Sequence, residues 1–178
     1  MRNKISLLFC VILIGLSVSG LYKEFSPASS ERIKVKLIKV IDGDTIKVKI
    51  QGKTKNVRYL LIDTPETKKP NSCIQPFGKS AYEENKKIIS RGNIELEFDK
   101  GEKTDKYGRL LAYVYTDGVS VQEKLLNAGL ARVAFVVPPN TKYLKQYKKI
   151  ENQAKSQNKS IWSRSGFVTD HGFNGCIK

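Results

Sequence analysis

The sequence contains a single histidine, His171, and three cysteines among its 178 residues. One histidine excludes paired-histidine phosphodiester chemistry and zinc sites built from several histidines. It also excludes most designs in which a histidine activates a serine or cysteine nucleophile. An enzyme of this composition has to work with carboxylates, arginines, lysines, tyrosines or a metal ion held by oxygen.

Acidic residues are also scarce, because 17 Asp and Glu stand against 32 Lys and Arg, for a formal net charge of +15. This charge favours a polyanionic partner such as nucleic acid. The hydrophobic fraction of 40% is enough for a folded core, and the length suits one domain with a targeting segment.

Residues 1–20 have the pattern of an export leader. Two basic residues precede an uncharged run over 5–22 that is rich in Leu, Ile and Val, and small residues lie near its end. The segment is either a signal peptide or an uncleaved membrane anchor, so we expect a protein that is secreted or held at the outer face of the cell membrane. The rest of the chain is predicted to consist of a polar lead-in over 21–32, one domain over 33–164 and a C-terminal tail over 165–178.

Two cysteines, Cys73 and Cys176, remain once the leader is set aside. In an oxidising compartment they either pair, closing a loop of about 100 residues, or stay as free thiols. The sequence leaves both alternatives open.

Alternation of polar and apolar residues predicts three antiparallel strands between residues 33 and 62, with Asp-Gly and Gln-Gly turns. The later elements predicted are a helix over 78–90, strands over 93–98 and 109–115, a short helix capped by Ser120, and a last helix containing Tyr143 and Tyr147. Five strands with a helix between the third and fourth predict a mainly β protein of the α+β class. Its expected fold is a five-stranded Greek-key barrel of the oligonucleotide-binding (OB) type, with about three helices.

Several charged residues interrupt apolar patterns. Asp44 shares a strand face with Ile46, and Arg58 lies in an apolar run that ends in Asp63 and, beyond it, Glu66. A lone carboxylate on an apolar face is costly unless a cation or hydrogen bonds compensate it. Simpler interpretations stay open: Asp44 supports the turn, Arg58 is a structural partner of one acid, and Glu66 is a solvated loop residue.

These residue types suit phosphate chemistry. Two aspartates and a backbone carbonyl form an oxygen set that fits calcium or magnesium, completed by water or a substrate phosphate. Arg109 adds a second guanidinium able to hold phosphate oxygens in bidentate fashion, although a surface cation at a strand end is the simpler interpretation of that residue taken alone.

Four segments then carry a resemblance: IDGDT at 41–45, VRYLLIDTPET at 57–67, EFDKGEKTDKYGRLLAYVY at 97–115 and LNAGLARVAFV at 126–136. In order and spacing they resemble the staphylococcal nuclease (thermonuclease) family over nearly all of residues 33–164. The resemblance implies a monomeric, calcium-dependent hydrolase of DNA and RNA with little sequence preference, which leaves 3′-phosphate ends.

The resemblance also implies residue roles. Asp44 and Asp63, with the carbonyl of Thr64, would bind Ca²⁺. Glu66 would act as a general base on water. The residues that would hold the scissile phosphate are Arg58 and Arg109.

The implied substrate contacts are Lys106, Tyr107 and Phe135. One departure from the family lies here, because Phe135 and Val137 stand where the family usually has tyrosines in its nucleotide pocket. Phe135 can stack on a base, but neither residue can donate a hydroxyl hydrogen bond. Preference between DNA and RNA is therefore left open.

Two other functions compete with the nuclease. One is a catalytically silent barrel that only binds nucleic acid, and the other is a basic surface protein that binds anionic envelope polymers. Loss of the acids or of the two arginines would favour the silent barrel, and all of them are present in the chain.

Overall fold

The computed structural model describes residues 31–67, 73–90 and 92–177. The predicted leader at 1–20 and most of the lead-in at 21–32 lie outside the described residues. Within those three ranges, no helix is both long and apolar enough to cross a membrane.

The described chain contains ten strands, three α-helices and one 3₁₀ turn. The strands are β1 (Arg32–Asp42), β2 (Thr45–Ile50), β3 (Lys53–Tyr59), β4 (Ile62–Asp63), β5 (Ile94–Glu97), β6 (Leu110–Thr116), β7 (Val119–Ser120), β8 (Arg132–Val133), β9 (Val168–Thr169) and β10 (Gly172–Phe173). The helices are α1 (Gly78–Ile89), α2 (Val121–Asn127), α3 (Leu144–Ser156) and a 3₁₀ turn at Ser160–Ser163.

Five of these strands close into a barrel. β1 pairs antiparallel with β2 and β5, β2 with β3, and β5 with β6, while β3 and β6 pair in parallel and complete the circle. α1 connects the third barrel strand to the fourth. The predicted five-stranded OB-type barrel with three α-helices is confirmed.

The third predicted strand ends earlier than its apolar run suggested. β3 stops at Tyr59, and Leu61 adopts a left-handed conformation with φ of 64°. Ile62 and Asp63 then form the separate strand β4, which pairs with β8. This turn moves Asp63 out of the barrel wall and brings the following Thr64 back to the end of the barrel where Asp44 lies.

The barrel interior is apolar and well sealed. Ile46, Val48, Val57 and Leu96 are completely buried. The predicted cap of α2 is present, since the Ser120 hydroxyl accepts a hydrogen bond from the third residue of that helix. A closed barrel with a packed apolar interior gives the loops at its end a fixed base.

Candidate active site

Asp44 is a buried carboxylate at the turn between β1 and β2. Its Oδ1 accepts from the Thr45 hydroxyl at 2.9 Å, and its Oδ2 accepts from the amide and hydroxyl of Thr64 at 3.1 and 3.2 Å. The preceding residue has to be glycine, because a Cβ on Gly43 would lie 2.6 Å from the Thr64 hydroxyl oxygen. The turn therefore holds Asp44 against Thr64, just after β4, instead of exposing it to water.

Arg58 bridges the two aspartates. Its Nη2 lies 3.1 Å from Oδ2 of Asp44 and 3.3 Å from Oδ1 of Asp63. Its Nη1 donates to the carbonyls of Tyr59 and Ile62, both at 2.8 Å. Arg58 is thus a structural partner of both acids, and its guanidinium is held in place before any substrate arrives.

Asp63 has a second cation that the sequence did not predict. Nε of Arg132 lies 3.1 Å from Oδ2 of Asp63. Burial, followed by the neighbouring Asp44 charge, raises the pKa of Asp63, while Arg58 and Arg132 act to lower it. The available signal was the charge at Arg132 in an otherwise apolar segment, the same signal that singled out Arg58.

Glu66 is fixed through its backbone. Its amide donates to Oε1 of Gln75 at 2.9 Å, and its carbonyl accepts from the Gln75 amide at 3.1 Å. The first residue of α1 approaches so closely that a Cβ on Gly78 would lie 2.5 Å from the Glu66 carbonyl oxygen. The Glu66 backbone is therefore held at both its amide and its carbonyl, which is unlike a freely solvated residue.

Asp42 belongs to the same acidic group. The sequence pattern indicated only a turn residue, and its Oδ1 does accept from the Gly43 amide at 2.8 Å. In addition, the same oxygen accepts from the hydroxyl of Thr67, the residue after Glu66, at 3.0 Å. Burial and the charge of Asp44 raise the pKa of Asp42.

Arg109 lines the same cleft as the acids and lies just before β6. Its Nε donates to Oδ2 of Asp105 at 2.6 Å, and its amide donates to Oδ1 of the same residue at 3.0 Å. Burial alone would raise the pKa of Asp105, but the hydrogen bonds from Arg109 and from the Tyr107 amide lower it overall. The guanidinium carbon of Arg109 is 5.6 Å from the centre of the Tyr107 ring.

Phe135 has an unusual backbone for a bulky residue, with φ of 51°. Such conformations recur at ligand sites, where the surrounding fold imposes them. Phe135 remains 65% exposed, and the centre of its ring lies 5.3 Å from the guanidinium carbon of Arg58. Val137 lines an adjoining cleft of about 640 Å³ together with Arg109 and Asn140.

One cleft of about 470 Å³ brings most of the predicted site residues together. Those predicted residues are Asp44, Arg58, Asp63, Glu66, Tyr107, Arg109 and Phe135. Asn56 and Thr45 also line this cleft, and the sequence did not predict either of them as a site residue. Thr64 lies behind the wall as a partner of Asp44, and Lys106 lies outside it, with Nζ 5.2 Å from the centre of the Tyr107 ring.

The acidic end of this cleft has the donor chemistry of a hard-cation site. Asp44 and Asp63 offer carboxylate oxygens and Thr64 offers further oxygen atoms. Such a ligand set suits calcium better than a metal that prefers nitrogen or sulfur ligands. Over the described part of the chain, no cluster of three or more His, Cys, Asp and Glu side chains is placed to hold a metal ion. An ion here would therefore depend on two carboxylates, with water or phosphate oxygens completing its shell.

Comparison with known proteins finds similarity to one family of nucleases. A model of the family described as staphylococcal nuclease homologue matches residues 56–164. The chain is 62% identical to Endonuclease YncB of Bacillus subtilis over 146 residues, which is 82% of this chain and 69% of that protein. It is 43% identical to Thermonuclease of Staphylococcus hyicus over 148 residues, covering 83% of this chain and 86% of that protein.

A further relative is longer than the chain described here. The SPbeta prophage-derived endonuclease YokF of Bacillus subtilis is 63% identical over 148 residues, which is 83% of this chain. The chain spans 50% of the length of that protein.

Proposed function

Because the chain belongs to the staphylococcal nuclease family, we propose that it is a calcium-dependent nuclease that cleaves DNA and RNA with little sequence preference, leaving 3′-phosphate ends. The class, a hydrolase acting on phosphodiester bonds, is supported by relatives named endonuclease and thermonuclease. The observation that carries the proposal is the cleft of about 470 Å³ that both arginines, both aspartates and Glu66 line together.

The two arginines would hold the scissile phosphate from different sides. Attack on phosphorus builds negative charge on the phosphate oxygens, and donors already in position stabilise that charge most effectively. Arg58 is oriented by Asp44 and Asp63, and Arg109 is oriented by Asp105. Each guanidinium can offer two parallel N–H groups to a phosphate.

Glu66 is the residue we assign as general base. A carboxylate that lines the cleft can take a proton from the attacking water, and contributions of this kind are worth roughly 10²- to 10⁴-fold in rate. The backbone contacts of Glu66 with Gln75 would keep that carboxylate at a constant place beside the phosphate.

Asp44, Asp63 and Thr64 would hold the calcium ion. When bound there, the ion supplies positive charge that makes the phosphorus more open to attack and stabilises the developing phosphate charge. The raised pKa of Asp63 supports this assignment, because burial and the nearby Asp44 charge make its anionic form costly without additional positive charge.

The exposed rings and the basic surface support a nucleic-acid substrate. Tyr107 and Phe135 lie at the open side of the cleft, where bases of any sequence can stack on them. The net charge of +15 would steer a polyanion toward the cleft. We further propose that the protein acts as a monomer and is exported, either released or anchored by residues 1–20.

The decisive experiment incubates the purified chain with single-stranded DNA, duplex DNA and RNA, in calcium, in magnesium or in chelator. We expect cleavage in calcium and none in chelator. A Glu66→Gln variant, purified in parallel, should lose turnover by about 10²- to 10⁴-fold while keeping its folded structure.

Three results would contradict the proposal in different ways. Full activity in chelator would reject the calcium mechanism. Wild-type rates in Glu66→Gln would reject Glu66 as the base. Tight binding of nucleic acid without cleavage under any divalent ion would identify a silent barrel instead.

A further inference from the structure

The C-terminal tail folds against residues 73–77, which lie just before α1. Its hairpin, β9 and β10, places Phe167 in a fully buried position. The Phe167 ring lies 5.6 Å from the ring of Phe77, at the start of α1, and 5.5 Å from the ring of Phe173. The segment predicted only as a tail is therefore part of the folded domain.

Gln75 connects this tail to Glu66 through a single side chain. Its Nε2 donates to the carbonyl of Phe173 at 2.7 Å, and its Oε1 accepts from the Glu66 amide at 2.9 Å. One side-chain amide group thus donates to the tail through its nitrogen and accepts from Glu66 through its oxygen. Movement of the tail would be transmitted directly to the Glu66 backbone.

Arg132 makes an equivalent connection to Asp63. While its Nε contacts Asp63, its Nη1 donates to the carbonyls of Thr169 and Asp170 at 3.3 and 3.4 Å. The Arg132 guanidinium also lies over the ring of Phe173, at 5.6 Å from the ring centre. The tail therefore supports both a base and a carboxylate of the cleft.

The end of the tail is fastened to the same loop. The Ile177 amide donates to the Ile74 carbonyl at 2.8 Å. Next to this bond, Cys73 and Cys176 form a disulfide with their Cα atoms 5.4 Å apart, which is within the usual range for such bridges. Cys73 is two residues before Gln75, so the bridge lies beside the link to Glu66.

We propose that residues 165–177 form a brace that positions Glu66 through Gln75 and Asp63 through Arg132, and that the Cys73–Cys176 disulfide locks this brace. The inference rests on the proposed function, which assigns roles to Glu66 and Asp63. Gln75 and Arg132 are positioning residues. The nuclease reaches full turnover only after it is oxidised.

The locking step is an ordinary thiol oxidation. The two thiols form one Sγ–Sγ bond and release two protons and two electrons. The electrons pass to an oxidant of the disulfide class, such as oxidised glutathione, which is reduced to two thiols. Reduction of the bridge by a dithiol reverses the step.

The first test compares the oxidised and the reduced full chain. Amide hydrogen exchange, measured by NMR in chelator, should show the Glu66 amide exchanging at least about 10-fold faster after reduction. The amide of Val114, in the barrel strand β6, should not change. With calcium, kcat on DNA should fall about 5- to 50-fold while KM changes less than about twofold, because the binding surface is intact.

Two variants separate the brace from general destabilisation. Cys73→Ser combined with Cys176→Ser should behave as the reduced protein and should not respond to a reductant. Gln75→Met should reproduce the faster exchange at Glu66 and the lower kcat in oxidised protein. The matched control is Gln153→Met, the same change on the exposed face of α3, and should leave both unchanged.

Each outcome has a defined meaning. Two free thiols in the protein purified under oxidising conditions would overturn the lock. Glu66 exchange and kcat within twofold of wild type in both variants would overturn the brace while leaving the nuclease intact. Faster exchange at Val114 in parallel would mean general unfolding and would also overturn it. If oxidised wild type cleaves nothing, the proposed function fails, and the exchange data still decide the brace.

Discussion

The two sides of the cleft differ in how firmly their groups are held. On the acidic side, Arg58 bonds to both Asp44 and Asp63, and the side chains of Asp44, Arg58 and Asp63 are 9, 11 and 18% exposed. On the open side, Tyr107 and Phe135 are 71 and 65% exposed. Groups that stabilise charge work best when fixed in advance, whereas groups that meet bases of any sequence need freedom to adjust.

The largest loss of stability and turnover is expected when the cation shared by Asp44 and Asp63 is removed. Arg58→Ala leaves Asp44 and Asp63 buried near each other without their shared cation, so we expect a loss of about 3–5 kcal/mol in the free energy of unfolding. Turnover should fall by about 10²- to 10³-fold as well, since one phosphate donor is removed. Urea unfolding in chelator and kcat at saturating DNA measure the two effects.

Arg58→Lys is the matched control. It keeps a positive charge between the aspartates but cannot make the four guanidinium contacts, so it should recover stability better than turnover. Unchanged stability in Arg58→Ala would mean that the acidic side is not held together by this residue.

The second prediction removes the corresponding arginine from the open side. Arg109→Ala should lower kcat by about 10²- to 10³-fold, like Arg58→Ala, because it removes the other phosphate donor. Stability should change by less than about 1 kcal/mol, because the Arg109 side chain is 33% exposed and water partly screens its ion pair with Asp105. Equal losses of stability in the two variants would erase the proposed difference between the sides.

The acidic side was predictable from the sequence because its anomalies are local. Asp44 on an apolar strand face and Arg58 in an apolar run are visible without knowing the fold, and so was the barrel, whose strands alternate with period two. The early end of β3 was not predictable. Leu61 is not a glycine, and its left-handed conformation depends on a long-range contact, in which its carbonyl accepts from the Ala134 amide at 3.0 Å.

The support behind the site was also beyond sequence analysis. Gln75 and the tail residue Phe173 are 98 positions apart, and nothing in their local patterns indicates that they bond. Arg132 carried a visible signal, but its partner Asp63 lies 69 positions away. Such contacts follow from the tertiary path of the chain, so periodicity and residue spacing cannot reveal them.

The third prediction concerns the Phe135 ring as a stacking surface on the open side. Phe135→Ala should weaken DNA binding by roughly 5- to 100-fold, corresponding to about 1–3 kcal/mol for the loss of one stacking surface. Its kcat should stay close to wild type, because the hydrogen bonds and ion pairs that hold Arg58 do not involve Phe135. Phe135→Tyr preserves the ring and should bind nearly as wild type. A fall in kcat with unchanged affinity would instead assign Phe135 to the chemistry.

The smallest expected effect concerns the outer wall next to the cleft. Lys36 faces Lys49 across β1 and β2, and Lys39 faces Lys47, whose other cross-strand neighbour is the cleft residue Asn56. Like charges placed opposite each other in a sheet cost about 0.2–1 kcal/mol per pair, a cost that a bound polyanion would offset.

Lys36→Gln combined with Lys49→Gln should therefore raise stability slightly and weaken DNA binding. The slope of log Kd against log salt concentration should fall by about one to two units, because up to two phosphate contacts are lost. Lys148→Gln with Lys149→Gln removes the same charge from the exposed part of α3. If both pairs change the slope equally, the basic surface attracts nucleic acid only through its total charge, and the lysines of β1 and β2 make no specific phosphate contacts.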